Sequence, residues 1–196
     1  MKTSIKSIII ITFITILTSA GYSQTKYSTT KKSSYPQWSA SPVGGVTIPV
    51  GVFGDNFKPG ANLGVDISYK VNKEVGFYGK LGYYFLTNKT QGLGDGKMME
   101  YTVGPRYFFT AKNLKSAIFL EAGMGAYTIQ YNSYTVNQTV VPEITNTNFG
   151  YNAGIGAILN LGTDVDMLFN VKYNSVLTDG GSTSFITPML GIDFRF

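Results

Sequence analysis

Four segments of the chain each carry two charged residues an even number of positions apart: Asp66 and Lys70, Glu100 and Arg106, Asp166 and Lys172, Asp193 and Arg195. Lys80 and Glu121 stand in two further segments of the same kind. On an extended chain residues of one parity share a face, so the members of each pair point to the same side. The chemistry open to them is that of ion pairs held together on one surface. Other chemistry is poorly supplied, because the chain contains neither His nor Cys. That removes the usual general base, the commonest transition-metal ligand and the thiolate nucleophile. A mechanism built on carboxylates alone needs two acids converging in a cleft. Nothing in the spacing of Asp55, Asp95, Glu143 and Asp179, which fall between the alternating segments, brings two of them together. The chain therefore reads as non-enzymatic, without a cofactor or a metal site.

The segments that must position these charges repeat with a period of two from residue 43 onward, the signature of half-buried β-strands. Strands are expected at 43–52, 61–71, 75–86, 98–109, 117–130, 147–161, 165–176 and 184–196. Short polar connections at 72–74, 110–116 and 162–164 alternate with longer ones at 53–60, 87–97, 131–146 and 177–183. In 165–176, Val165, Met167, Phe169, Val171 and Tyr173 oppose Asp166, Leu168, Asn170, Lys172 and Asn174. In 61–71, Leu63, Val65, Ile67 and Tyr69 oppose Asn62, Gly64, Asp66, Ser68 and Lys70. One strand breaks the pattern. After Gly125 the parity of 117–130 puts Ala126 and Thr128 on the apolar face and Tyr127 and Ile129 on the polar one, which suggests a bulge.

Two barrels could be built from such strands, one with the apolar face inward and one with it outward. Composition favours the second. Charged residues make up 14% of the chain, against roughly 25% in soluble domains, while Gly (23), Tyr (14) and Phe (13) are abundant. The polar face is crowded with glycines (Gly64, Gly82, Gly104, Gly123, Gly156 and others), as a narrow interior requires. The apolar face carries aromatics near both strand ends. Phe77, Tyr107, Phe109, Phe194 and Phe196 lie by the short turns; Tyr83, Phe85, Tyr101, Phe149, Tyr151 and Tyr173 lie by the long loops. Two such girdles mark two membrane interfaces. A Lys or Arg facing lipid at mid-membrane costs about 2–4 kcal/mol, so the charges belong inside, where acids can pair with bases. The expected fold is all-β: an eight-stranded antiparallel up-and-down transmembrane β-barrel with short periplasmic turns and longer extracellular loops.

Residues 1–23 have the plan of a cleaved secretory signal peptide: Lys2 and Lys6, an apolar run from Ile8 to Leu17, then small residues. Residues 24–42 are polar and rich in Ser and Thr, and read as a periplasmic linker. The barrel is expected over 43–196. Removing the two leader lysines reduces the formal charge of +5 to about +3, too little to argue for a nucleic-acid partner.

The repeated strand patterns "FGYNAGIGAILNL", "YTVGPRYFF" and "LGIDFRF" resemble those of small eight-stranded outer-membrane barrels of the OmpA/OmpX type, and of the outer-membrane β-barrel domain proteins of Bacteroidota. The resemblance covers residues 43–196. It implies a Gram-negative outer-membrane location reached by the secretory pathway, outer-membrane lipid around a monomeric barrel, and insertion by the barrel-assembly machinery, with Phe194 and Phe196 as the assembly signal. An eight-stranded barrel is just wide enough to be filled by side chains. Asp66, Lys70, Lys80, Glu100, Arg106, Glu121, Asp166, Lys172, Asp193 and Arg195, with Tyr78, Tyr84, Phe108 and Phe119, are expected to fill it. The role expected is envelope structure or surface interaction. The alternatives are a ligand-binding or adhesin barrel acting through loop 131–146, and a narrow porin-like pore for small solutes.

Overall fold

The computed structural model of the protein describes residues 35–90, 95–110, 116–136, 139–162 and 164–196. Eight long strands carry the architecture: β1 (Gln37–Val50), β2 (Gly60–Lys70), β3 (Val75–Asn88), β4 (Gly96–Thr110), β5 (Ala117–Tyr131), β6 (Ile144–Asn160), β7 (Val165–Thr178) and β8 (Gly181–Arg195). Each pairs antiparallel with its sequence neighbours, and β1 also pairs with β8. That last ladder runs from Ser39 opposite Arg195 to Val50 opposite Ser184. It converts a meander into a closed barrel, so the wall has no free edge along it. The Phe196 N–H donates to the Trp38 carbonyl at 3.1 Å beyond the last strand residue, fastening the seam at the short-turn end.

Alternation along the strands follows from the two environments. Leu63, Leu81, Val103, Met124 and Ile155 point outward and are exposed, while Asn62, Lys80, Thr102, Glu121 and Asn152 point inward and are buried. The narrow interior shows in what a side chain would meet at the inward glycines. A Cβ at Gly123 would lie 2.2 Å from the Tyr78 hydroxyl oxygen, and one at Gly156 would lie 2.2 Å from Phe119 Cζ. Each glycine thus makes room for a ring from across the sheet or a neighbouring strand. The β2–β3 turn is held by Asn72, whose Oδ1 accepts the N–H groups of Glu74 and Val75 at 2.8 Å each, a local bond that favours a tight connection.

The structure departs from the sequence expectation in four places. β1 begins at Gln37, so residues 37–42 belong to the wall and not to a linker; "SASP" reads as linker because its serines face the lumen, where they are buried. Residues 1–34, which include the expected signal peptide and most of the linker, lie outside the described residues. The connection expected at 177–183 contracts to a turn at Asp179 and Gly180, since Thr178 already pairs with Gly181. The connection at 53–60 contains a short helix, α1 (Val52–Asn56), followed by Phe57–Lys58 paired with Asn88 and Thr87 of β3. Finally, β5 needs no bulge: its register with β6 is continuous from Ala117 opposite Ile158 to Tyr131 opposite Ile144. Tyr127 and Ile129 point inward and are buried, because the lumen is apolar at that height.

Candidate functional site in the barrel interior

Reading along β7 from the loop end to the short-turn end gives the interior in order. Val176, Asn174, Lys172, Asn170, Leu168 and Asp166 all face inward and all are buried. An apolar residue, a charged one, a second apolar one and a second charged one succeed each other, and the other strands supply the rest of each layer.

The outermost layer is apolar. Tyr84 and Leu86 of β3, Met98 of β4, Tyr127 and Ile129 of β5, Val176 of β7 and Phe185 of β8 form one buried cluster with Phe53 and Phe57. α1 brings Phe53 over the mouth, and its ring centroid lies 4.9 Å from that of Phe57 and 6.2 Å from that of Phe185. The i, i+4 spacing of these two rings places them on one side of a helical turn. Lys89 Nζ donates to the Gly54 carbonyl and the Lys89 N–H to the Asn56 carbonyl, tying α1 to the end of β3.

Beneath it lies the charged layer. Arg106 Nη2 sits 2.8 Å from Asp66 Oδ2 and 2.6 Å from Glu121 Oε2, with Nε 2.8 Å from the same Glu121 oxygen. The guanidinium is thus shared by two carboxylates, the fork geometry that arginine supplies and lysine does not. Its cationic carbon lies 4.4 Å from the Phe119 ring centroid and 4.9 Å from that of Tyr78. Glu121 Oε1 accepts from Asn170 at 2.7 Å, and Lys172 Nζ lies 3.0 Å from it as an ion pair outside hydrogen-bond geometry. Lys172 Nζ also stands 4.1 Å from the Tyr78 centroid. On the far side Lys80 pairs with Glu100 at 3.1 Å, and Glu100 also accepts from Tyr84 and, at 2.7 Å, from Thr102. Asp66, Glu100 and Glu121 balance Lys80, Arg106 and Lys172. The charge cancels within the layer, which is the condition for burying it.

Below come Val43, Phe108, Phe119, Ile158, Leu168 and Met189, a second apolar cluster. The mouth at the short-turn end is polar again. Arg195 Nε lies 3.1 Å from Asp166, Asn160 donates to Asp166 at 2.8 Å, and Ser41 donates to Asp193 at 2.5 Å. Lys70 Nζ lies 4.3 Å from the Phe108 ring centroid.

All the charges singled out from the sequence therefore face inward, but in two groups. Asp66, Lys80, Glu100, Arg106, Glu121 and Lys172 form one connected layer. Lys70, Asp166, Asp193 and Arg195 line the mouth, where Asp193 is met by a serine and Lys70 by a ring. The girdle residues Phe77, Phe85, Tyr101, Tyr107, Phe109, Phe149, Tyr151, Tyr173, Phe194 and Phe196 are exposed on the outer face, and Tyr83 is half-buried with its ring centroid 5.0 Å from that of Phe85. Trp38, ring centroid 4.6 Å from that of Tyr69, joins the short-turn girdle; it escaped notice because residues 37–42 read as linker. The neutral partners Asn170, Asn174, Thr102 and Ser41 were legible only as polar-face residues. Phe53 and Phe57 had their four-residue spacing as the one available sign.

No protein-family model and no curated protein matches the chain. Solved structures do. The barrel is similar to Neisserial surface protein A (14% identity, 82% of this chain and 97% of that one, TM-score 0.62). The fold is that of small bacterial β-barrels. The outer membrane protein OprG from Pseudomonas aeruginosa matches over the same shares at 14% identity, with a TM-score of 0.58. The attachment invasion locus protein Ail of Yersinia pestis matches at 17% identity over 82% of this chain and 99% of its own, with a TM-score of 0.53. Ail has also been crystallised with the heparin analogue sucrose octasulfate. At these identities the likeness is one of fold.

Proposed function

We propose that the protein is a non-enzymatic integral barrel of a Gram-negative outer membrane, of the Bacteroidota β-barrel type its strand patterns resemble, acting in envelope structure and surface interaction and not as a pore. The observation that carries this reading is the filled lumen: a charge-neutral network, buried throughout, closed by apolar clusters above and below. An open channel needs a continuous wet path, and here Tyr84, Tyr127 and Phe185 occupy the outer part while Phe108 and Phe119 occupy the inner part. The outward face supports membrane placement. A belt of half-exposed Leu, Val, Ile and Met flanked by aromatics far exceeds the few hundred Å² of apolar patch that a water-soluble monomer shows. Short turns then face the periplasm and α1 faces outside. Phe194 and Phe196, outward on the strand that closes the barrel, suit recognition by the assembly machinery, and the paired registers of all eight strands leave a monomer complete.

The purified barrel in planar bilayers is expected to show no steady conductance. Stable channels of porin size would overturn the filled-lumen reading. Unheated and heated samples are expected to migrate differently on a detergent gel, and identical migration would count against a folded membrane barrel.

A surface-binding role has its own support. The β5–β6 hairpin continues past the wall and is extended by Tyr134–Val136 paired with Thr139–Val141, with Val140 and Ile144 exposed. Binding of cells to extracellular ligands, compared with and without residues 131–146, tests it.

A further inference from the structure

The parity of the charges has one exception. Every Asp, Glu, Lys and Arg of the eight strands points into the lumen apart from Lys97, which lies exposed on the outer face of β4 between the buried Gly96 and Met98. Its partner on β3 is Phe85 of the loop-end girdle. A second lysine stands on the other side of β3. Phe57 turns into the plug, so Lys58 turns outward, opposite the exposed Thr87. Lys58 and Lys97 thus flank β3 on one face, two residues out of line. Strands about 4.8 Å apart with a rise of about 3.4 Å per residue put their Cα atoms roughly 12 Å from each other. Two four-carbon stems can close that gap on one anion.

Neither lysine is neutralised by the chain itself. The side chains of Lys58 and Lys97 have no ion pair and no hydrogen bond among the described residues. Lys89, a third cation at this rim, is held on the Gly54 carbonyl. Asp95, two residues before Lys97, takes the Asn88 N–H at 3.1 Å. Toward the short turns the same face becomes apolar at once, with Tyr83 and Phe85 on β3, ring centroids 5.0 Å apart, and the exposed Met99 and Tyr101 on β4. The cost of an outward lysine nearly vanishes at a membrane interface, so Lys97 marks the level at which the apolar belt meets headgroups. What fits this place has an anionic head beside two ammonium groups and apolar tails on the side chains beneath.

We infer that Lys58 and Lys97, with Thr87 between them, form a binding site for the phosphate headgroup of a lipid in the leaflet on the long-loop side, its acyl chains lying on Phe85, Tyr83 and Met99. The ammonium groups pair with the phosphate oxygens, and the Thr87 hydroxyl donates to one of them. The short strand that carries Phe57 into the plug thereby carries Lys58 to the lipid. The inference rests on the reading of this protein as a membrane barrel with α1 and the long loops at one interface.

Native mass spectrometry tests it on the refolded barrel, taken into mild detergent from nanodiscs of phosphatidylcholine with a minor fraction of phosphatidic acid. Phosphatidic acid is expected to be retained in preference to phosphatidylcholine. One lysine near a charged lipid surface contributes about a fivefold preference, so Lys58→Gln and Lys97→Gln should each cut retention about fivefold and the double variant about thirtyfold. Lys73→Gln removes an exposed lysine from the opposite rim and should leave the preference unchanged. Excess inorganic phosphate should not displace the lipid. No preference for phosphatidic acid, equal retention by the double variant, or an equal loss from Lys73→Gln would each overturn the inference. So would displacement of the lipid by inorganic phosphate, the mark of a free-anion site. The heat-dependent gel shift, recorded on the same samples, separates these results from failure of the membrane-barrel reading.

Discussion

The charged layer and the outer apolar plug fill the same lumen a few residues apart, by opposite means. In the charged layer each group is needed by several others: Arg106 serves Asp66 and Glu121, and Glu121 serves Arg106, Lys172 and Asn170. Apolar rings in the plug are non-directional, and two of them, Phe53 of α1 and Phe57 of the short strand after it, come from outside the eight-stranded wall. Loss of one member should therefore spread through the first region and stay local in the second.

The largest effect is expected from Arg106→Ala. It leaves the buried Asp66 without its cation and Glu121 with Lys172 alone, and breaking a buried pair in this way costs about 3–5 kcal/mol. The denaturant midpoint of the heat-dependent gel shift should fall accordingly, and an unchanged midpoint would remove the distinction between the regions. A thermodynamic cycle on Lys80→Met and Glu100→Gln sharpens it. Each single change strands a partner and the double change does not, so the coupling should be of order 0.5–3 kcal/mol, the double variant being more stable than the sum of the singles. Gly156→Ala tests the packing between the layers. Its Cβ would lie 2.2 Å from Phe119 Cζ and 2.5 Å from the Phe169 carbonyl oxygen, and overpacking of this kind costs about 1–3 kcal/mol. The smallest change in the midpoint is expected from Phe53→Ala with Phe57→Ala. α1 can open without breaking the wall, as regions of low local stability do. Exchange at residues 51–58 should accelerate while the midpoint stays within about 0.5 kcal/mol and conductance remains absent, since the charged layer is intact. A fall of about 3 kcal/mol or more, the usual cost of a buried Phe→Ala change, would show the plug to be as structural as the network.

The same contrast explains what the sequence revealed. Charges sort by parity because a charge on the outer face is so costly, and the inward placement of Asp66, Glu100, Arg106 and Lys172 could be read directly. Parity is blind to height and to partner. It could not divide the charges into a central layer and a mouth, nor show that Asp193 would accept a hydrogen bond from Ser41. It misled where the interior itself turns apolar: Tyr127 and Ile129 looked like a fault in the alternation, yet they keep the strand's register and line the plug. Phe53 and Phe57 lie outside any alternating segment, so period two carried no information about them, and the serines of β1 passed for linker because small polar residues suit a narrow lumen as well as they suit a loop.

The seam between the first and last strands has a spectroscopic consequence. Trp38 is the single tryptophan of the chain; its ring is exposed beside Tyr69 and its carbonyl receives the Phe196 N–H. Indole emission, with no competing tryptophan, therefore reports on the place where the barrel is zipped shut. During refolding into vesicles whose acyl chains carry bromine, quenching of this one fluorophore would time the closure of the cylinder against the formation of its strands.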